Sequence, residues 1–192
     1  NLLGDEQSGH IREVGIELYQ YMLEQAVAES KGLSKTETDD KNWSPQISIG
    51  ESVLIPENYI PEVNLRMSLY RRLARMINVA QIDSFSEELV DRFGKIPKEV
   101  ENLLKTTKIK NLCKSAGIEK LDGGEKGAVI TFKDSFFTNP TELVKMITDN
   151  KDRMKLRLDH KLVVKDSWPA ANDKFYGIEK IVLEILKIKK VS

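Results

Sequence analysis

The sequence predicts an α+β fold, in which a helical lead-in precedes a helix-rich domain with a small antiparallel sheet. Three observations carry this. Apolar residues recur at helical spacing through residues 61–116. The period then switches to two around a glycine-rich turn at Asp122–Gly127. Helical spacing returns over residues 172–190, where Ile178, Ile181, Val182, Ile185 and Leu186 share one side.

In chain order, residues 1–10 are polar and carry glycine. Val14, Leu18, Met22 and Val27 mark a helix over 11–31, with Glu13, Glu17, Glu24 and Glu29 along it and Gly32 after it. Residues 33–45 hold the run KTETDDKN and few apolar residues, which reads as a flexible linker pinned at its end by Trp43. Ile47, Ile49, Val53 and Ile55 alternate around Gly50–Glu51 and predict short strands.

The stretch from Pro61 to Gly94 is the part around which the rest is expected to pack. Val63, Met67, Tyr70, Leu73, Ala74 and Ile77 form an apolar stripe that Leu65, Leu69 and Met76 widen. Such a helix should be covered by neighbours on two sides, with Pro61 in its first turn and Glu62 at the positive end of its dipole. A second helix places Ile82, Phe85, Leu89 and Phe93 on one face, with Glu87, Glu88 and Asp91 opposite, and stops at Gly94. One helix offers arginines and the next offers carboxylates.

Pro97 opens a third helix that Gly117 closes. Val100, Leu103 and Leu104 face one side of it and Ile109, Leu112, Cys113 and Ala116 nearly the other, so it should serve two packing partners or bend near Thr106–Thr107. After the hairpin of 118–132 come a short helix from Pro140 to Asp149 and two strands, Met154–Leu158 and Leu162–Lys165, joined through Asp159-His160. Late lysines at 187, 189 and 190 suit the negative end of the last helix.

At 192 residues the chain is long enough for one domain and an appendage. Residues 1–61 carry 4 Lys/Arg against 11 Asp/Glu, and residues 62–192 carry 26 against 19, so the mildly basic part has interspersed charges that fit a solvated surface. Cys113 is the single cysteine, which excludes a disulfide framework and a zinc quartet and suits a reducing cytoplasm. No run nears the roughly 18 apolar residues of a membrane span, and no signal peptide is visible. The chain starts at Asn1 inside what reads as a loop, so it is expected to be part of something longer.

Catalytic constellations are weak. Asp5-Glu6-Gln7 lacks the preceding strand and upstream phosphate loop that a helicase acidic box needs, and GxxxxGK[ST] does not occur. Asp5, Ser8 and His10 are too close along the chain to converge as a triad. His10 and His160 have no partners at metal-ligand spacing. Arg66, Arg71, Arg72 and Arg75 offer a basic stripe for duplex phosphates, but Glu62 and the acidic second helix are placed to neutralise it. The residues read as a non-enzymatic α+β domain; the alternative is a nucleic-acid-binding domain using that stripe.

Several runs match a known family. LLGDEQSGH (2–10), leading into VGIELY (14–19), resembles the end of the translocation motif shared by RecG and the bacterial transcription-repair coupling factors, the Mfd family. PENYIPEVNLR (56–66), YRR (70–72), ELVDRFG (88–94) and KLDGGEKG (120–127) resemble the C-terminal domain of the latter family. The likeness spans essentially the whole chain and is specific over 56–94, whereas 31–45 and 134–175 carry little of it.

The resemblance implies three parts: residues 1–32 as the tail of a motor, 33–45 as a linker and 46–192 as a C-terminal regulatory domain. It implies a parent that is an ATP-driven translocase on duplex DNA, displacing stalled RNA polymerase and recruiting the excision-repair protein UvrA. ATP and Mg²⁺ belong to the parent's motor, upstream of this piece, so no cofactor is expected here. Gln7, with Gly9 and His10, falls on the motif's end, where the glutamine helps couple ATP turnover to movement. The family's C-terminal domain is autoinhibitory, masking the UvrA-binding module of the same protein, and the acidic positions of that contact fall on Glu88 and Asp91. Expected partners are that module directly and UvrA, RNA polymerase and duplex DNA through the full-length protein, with no membrane.

Overall fold

The computed structural model describes residues 43–190. The helix expected over 11–31, the motif residues Gln7, Gly9 and His10, and most of the linker lie outside the described residues. The chain forms two compact units, one containing Glu51–Lys108 and the other joining Ser44–Gly50 to Ile109–Ser192.

The first unit is helical. Helix α1 spans Val63–Ala74, α2 spans Val79–Phe93, and the first half of α3, which runs Lys98–Ala116, completes it. Leu69, Tyr70 and Leu73 of α1 bury against Ile82, Phe85 and Leu89 of α2 and against Val100, Leu103 and Leu104 of α3. Ile55 and Ile60, from the irregular segment ahead of α1, close this core. Removing each large side chain from water contributes about 1.5–3 kcal/mol, which is what holds three short helices together.

Three expectations about this unit are corrected. The central helix is not covered on two sides, because Val63 and Ile77 are exposed, as is Ala74, and its buried stripe narrows to Leu69, Tyr70 and Leu73. Pro61 does not sit in the first turn: the helix starts at Val63, with Glu62 as an extended N-cap. Val53 and Ile55 form no strand. The Ile55 N–H donates to the Tyr70 hydroxyl at 2.6 Å, so side-chain chemistry satisfies a group that a strand would have paired with backbone. Tyr70→Phe should therefore cost about 1–3 kcal/mol by leaving a buried N–H without that acceptor. Urea denaturation reads this, and an unchanged midpoint would refute it.

Local signals set the helix ends. The Asn78 side chain accepts from the Gln81 N–H at 2.9 Å, and the Gln81 side chain accepts from the Ile77 N–H at 2.8 Å, a reciprocal cap on α2. Gly94 ends α2 with φ of 85°, a conformation that costs glycine nothing.

The expected double role of α3 is observed. Val100, Leu103 and Leu104 belong to the core of the first unit, and Ile109, Cys113 and Ala116 to that of the second. The two threonines at the phase shift, Thr106 and Thr107, are buried, and the Thr107 hydroxyl donates back to the Leu103 carbonyl at 2.8 Å.

The second unit is a five-stranded sheet with helices. Its strands are β1 (Gln46–Ser48), β2 (Ile118–Gly124), β3 (Gly127–Phe132), β4 (Met154–Leu156) and β5 (Leu162–Lys165), in the order β1-β2-β3-β5-β4. Helices α4 (Pro140–Asp149) and α5 (Ala171–Lys189) complete it. The β2–β3 hairpin turns tightly at Glu125–Lys126, since Gly124 already pairs with Gly127. The segment after β5 secures that turn: the Asp166 N–H donates to the Lys126 carbonyl and the Trp168 N–H to the Glu125 carbonyl. Ile178, Ile181, Val182 and Ile185 of α5 share the core with Ile118, Leu121 and Ile130 of the sheet. The sheet is mixed, because β1 joins β2 in parallel while the other pairings are antiparallel. No helix among the described residues is long and apolar enough to cross a membrane.

Candidate interaction surface

Helix α2 presents the candidate surface. Its inner residues Ile82, Phe85 and Leu89 are at most 2% exposed, which fixes the outer face as a rigid platform. Tyr59 pins the end of this platform: its hydroxyl donates toward the carbonyls of Leu89 (3.1 Å) and Gly94 (3.0 Å), and its ring meets Phe93 edge-on at 5.9 Å. Burial pushes the Tyr59 phenol above its ordinary pKa.

Glu88 and Asp91 sit on this face in different states. Asp91 is exposed, as is Glu87 four residues before it. Glu88 is half-buried and doubly held. The Arg72 guanidinium donates to both of its oxygens, at 2.6 and 2.9 Å, and Arg92 donates to one of them at 2.9 Å. Arg72 lies over the Phe85 ring at 5.3 Å and Arg92 over Phe93 at 4.9 Å, so both guanidiniums are oriented by aromatic faces. Of Glu87, Glu88 and Asp91, then, Glu87 and Asp91 face solvent while Glu88 braces α2 to α1.

The Arg72 hydrogen bond holds the Glu88 carboxyl down at about 2, against the opposing effect of desolvation and with Arg92 adding to it. Because the folded pKa lies below the unfolded value, the stabilisation is present above about 4.5 and is lost as pH falls through about 2. Glu88→Gln should thus lower stability at pH 7 by about 1 kcal/mol or less, since the pair is partly solvated. The gap between variant and parent should close as pH falls toward 2, and denaturation midpoints at pH 7 and pH 3 test it. A gap that widened in acid would contradict the assigned clasp.

The basic stripe is divided by the same geometry. Arg72 is committed to Glu88, and Arg66 donates to the carbonyls of Ile60 (2.7 Å) and Pro61 (2.9 Å), tying down the segment ahead of α1. Arg71 and Arg75 are exposed. The stripe is thus divided by pairing: Arg72 is exposed like Arg71 and Arg75, but its guanidinium is taken up by Glu88. Sequence reasoning missed Arg92, although its position four residues after Glu88 is a legible signal on a helix. It also missed Phe85 as the plate beneath Arg72. Among the described residues no group of three or more His, Cys, Asp or Glu side chains is placed to hold a metal ion. Cys113 is 0% exposed and burial pushes its thiol up, out of the range of a nucleophile.

Comparison with known proteins places this surface within a recognised region. Residues 49–143 match the family described as TRCF domain. The chain is 42% identical over 164 residues to the transcription-repair-coupling factor of Rickettsia conorii, covering 85% of this chain and 14% of that protein. It is 34% identical over 159 residues to that of Escherichia coli, covering 82% and 14%. A crystal structure of the C-terminal domain of a transcription-repair coupling factor shares the fold, with a TM-score of 0.63 at 17% identity over 77% of this chain and 95% of that one. The chain spans about one seventh of the length of these full-length relatives.

Proposed function

The chain carries a region homologous to the TRCF domain of transcription-repair-coupling factors, and from that premise we propose that it is a non-catalytic regulatory piece of such a protein. In this reading residues 46–192 act as a protein-interaction domain that docks on the UvrA-binding module of the same polypeptide and masks it. Residues 1–32, with Gln7, Gly9 and His10, belong to the tail of an ATP-driven motor on duplex DNA, and RNA polymerase and UvrA are partners of the whole. The observation that supports docking most is the exposed acidic pair Glu87 and Asp91 on the braced α2, inside the matched region.

The chemistry of masking follows from that platform. Two carboxylates four residues apart on a helix fixed by its buried face present their charge in one orientation, so little ordering is needed on contact. Basic side chains of the module supply the complement, and the attraction weakens as salt screens it.

The test is a titration of the 192-residue chain against the separately purified UvrA-binding module and, in parallel, against duplex DNA. Saturable binding to the module that weakens with salt, without duplex binding at the same concentrations, is the expected result. Duplex binding with a steep salt dependence and no module binding would overturn the proposal.

A further inference from the structure

We infer that the free edge of β4, in the second unit, accepts an added strand from a protein partner: an extended segment that alternates acidic and apolar residues. β4 ends the strand order β1-β2-β3-β5-β4, so one of its sides has no strand beside it. The pairing decides which backbone groups face that side. The Lys165 N–H donates to the Arg153 carbonyl at 2.7 Å and the Arg157 N–H to the Lys161 carbonyl at 2.9 Å. Residues of an antiparallel strand alternate in which neighbour they bond, so Arg153, Lys155 and Arg157 turn their backbone groups to β5. Met154 and Leu156 turn theirs outward. The Asn150 carbonyl already takes the Met154 N–H at 2.7 Å, which closes the start of the edge. Among the described residues, the Leu156 N–H and carbonyl are what an incoming strand would pair with.

The two faces of the edge identify the occupant. On one face stands the row Arg153, Lys155 and Arg157, with Lys161 and Lys165 of β5 beside it. Among the described residues only the two arginines of these five cations have a carboxylate, Asp166 at 3.4 Å and Asp159 at 2.8 Å. Short edge strands that carry lysine are a common protection against pairing with copies of the same chain. A second β4 laid antiparallel would keep like faces together and set this row beside the same row in any register, which repels. The row attracts a strand with carboxylates on that face. On the opposite face Leu156 pairs with the fully buried Leu162, yet it is itself 42% exposed because nothing covers its outer flank. A residue that exchanges both backbone bonds with Leu156 lies directly opposite it on the same face, so that residue must be apolar. Its neighbours then fall opposite Lys155 and Arg157 and must be acidic. Backbone bonds supply the attraction and the alternating side chains supply the selection.

The probe is a synthetic decapeptide alternating glutamate and valine, titrated into the 192-residue chain and followed by amide NMR. Saturable shifts centred on residues 153–157 are expected, with solvent exchange of the Leu156 N–H slowed about tenfold or more, since the added strand takes that donor. The same peptide N-methylated at its valines keeps its charge but offers the Leu156 carbonyl no donor, and it should bind about tenfold more weakly or worse. Lys155→Glu should weaken binding to a similar degree, because it sets like charges opposite each other. Lys180→Glu, which alters an exposed cation on α5 of the same unit, should bind like the parent. Both lysines are exposed, so both variants should melt with the parent. Absence of saturable shifts at these residues would overturn the inference, as would equal binding of the N-methylated peptide, which would leave charge attraction without strand addition. Equal binding of a lysine–valine peptide would do the same. A short DNA duplex that engages these residues more tightly than the peptide would make the face a phosphate site instead, and dimerisation that protects the Leu156 N–H without peptide would assign the edge to a second copy; either result overturns the inference.

Discussion

Gly127→Ala is expected to destabilise the second unit by about 3–5 kcal/mol, a large part of what a small domain has. Gly127 opens β3 with φ of 126°, a backbone conformation that an L side chain rarely adopts. An added Cβ would also lie 1.9 Å from the Val164 carbonyl oxygen and 2.9 Å from its carbon. These are backbone atoms of β5, paired to β3 through Ala128↔Val164 and Gly127↔Lys165, so no side chain can rotate away to make room. Relief requires moving β5 off its ladder or abandoning the turn that Asp166 and Trp168 secure. Gly124→Ala, across the same turn, is the control: nothing lies within 4 Å of its added Cβ, and it should stay within about ±0.5 kcal/mol. Urea denaturation of the two variants gives the answer, and equal midpoints would contradict the register described here.

How far the sequence carried the fold depends on whether a signal was local. The change of apolar phase in α3 was legible because both of its faces are written along one helix, and the two cores it serves were found. The hairpin at 118–132 was legible from its glycines and its period, and the turn proved tighter than the glycine-rich run suggested. The parallel pairing of β1 with β2 was not legible: Gln46 pairs with Lys120, and no local pattern reports a partner so far along the chain. Ile77 was misread as core because periodicity extended α1 past its end. A helix stops where its backbone groups find other partners, and here the Asn78–Gln81 cap starts α2 at Val79.

The candidate site was legible in part for the same reason. That one helix brought arginines and the next carboxylates could be read from composition along α1 and α2. Which carboxylate was engaged could not, because the choice between Glu87, Glu88 and Asp91 depends on how α1 and α2 cross. The structure assigns the clasp to Glu88, which leaves Glu87 and Asp91 outward. Charge reversal at Glu88 would set a third cation beside Arg72 and Arg92 and disturb the α1–α2 brace. The clean test of docking therefore uses the exposed pair.

Glu87→Lys with Asp91→Lys in the full-length parent is expected to raise affinity for UvrA by up to about two orders of magnitude. The magnitude follows from population: if the masked state holds about 99% of the molecules, apparent affinity for a partner of the open state is reduced roughly a hundredfold. Reversing both charges replaces attraction with repulsion across the contact, and like charges juxtaposed at an interface cost several kcal/mol, enough to empty the masked state. Fold stability should be spared, since both side chains are exposed and the buried face of α2 is untouched. The gain should shrink at high salt, where screening already loosens the closed form. The decisive measurement is the UvrA dissociation constant of the double variant beside that of the parent protein, at low and high salt, with melting curves of both. A large gain at low salt, a smaller one at high salt and unchanged melting is the predicted result; a well-folded double variant with the parent's UvrA affinity at both salts would contradict masking through this face of α2.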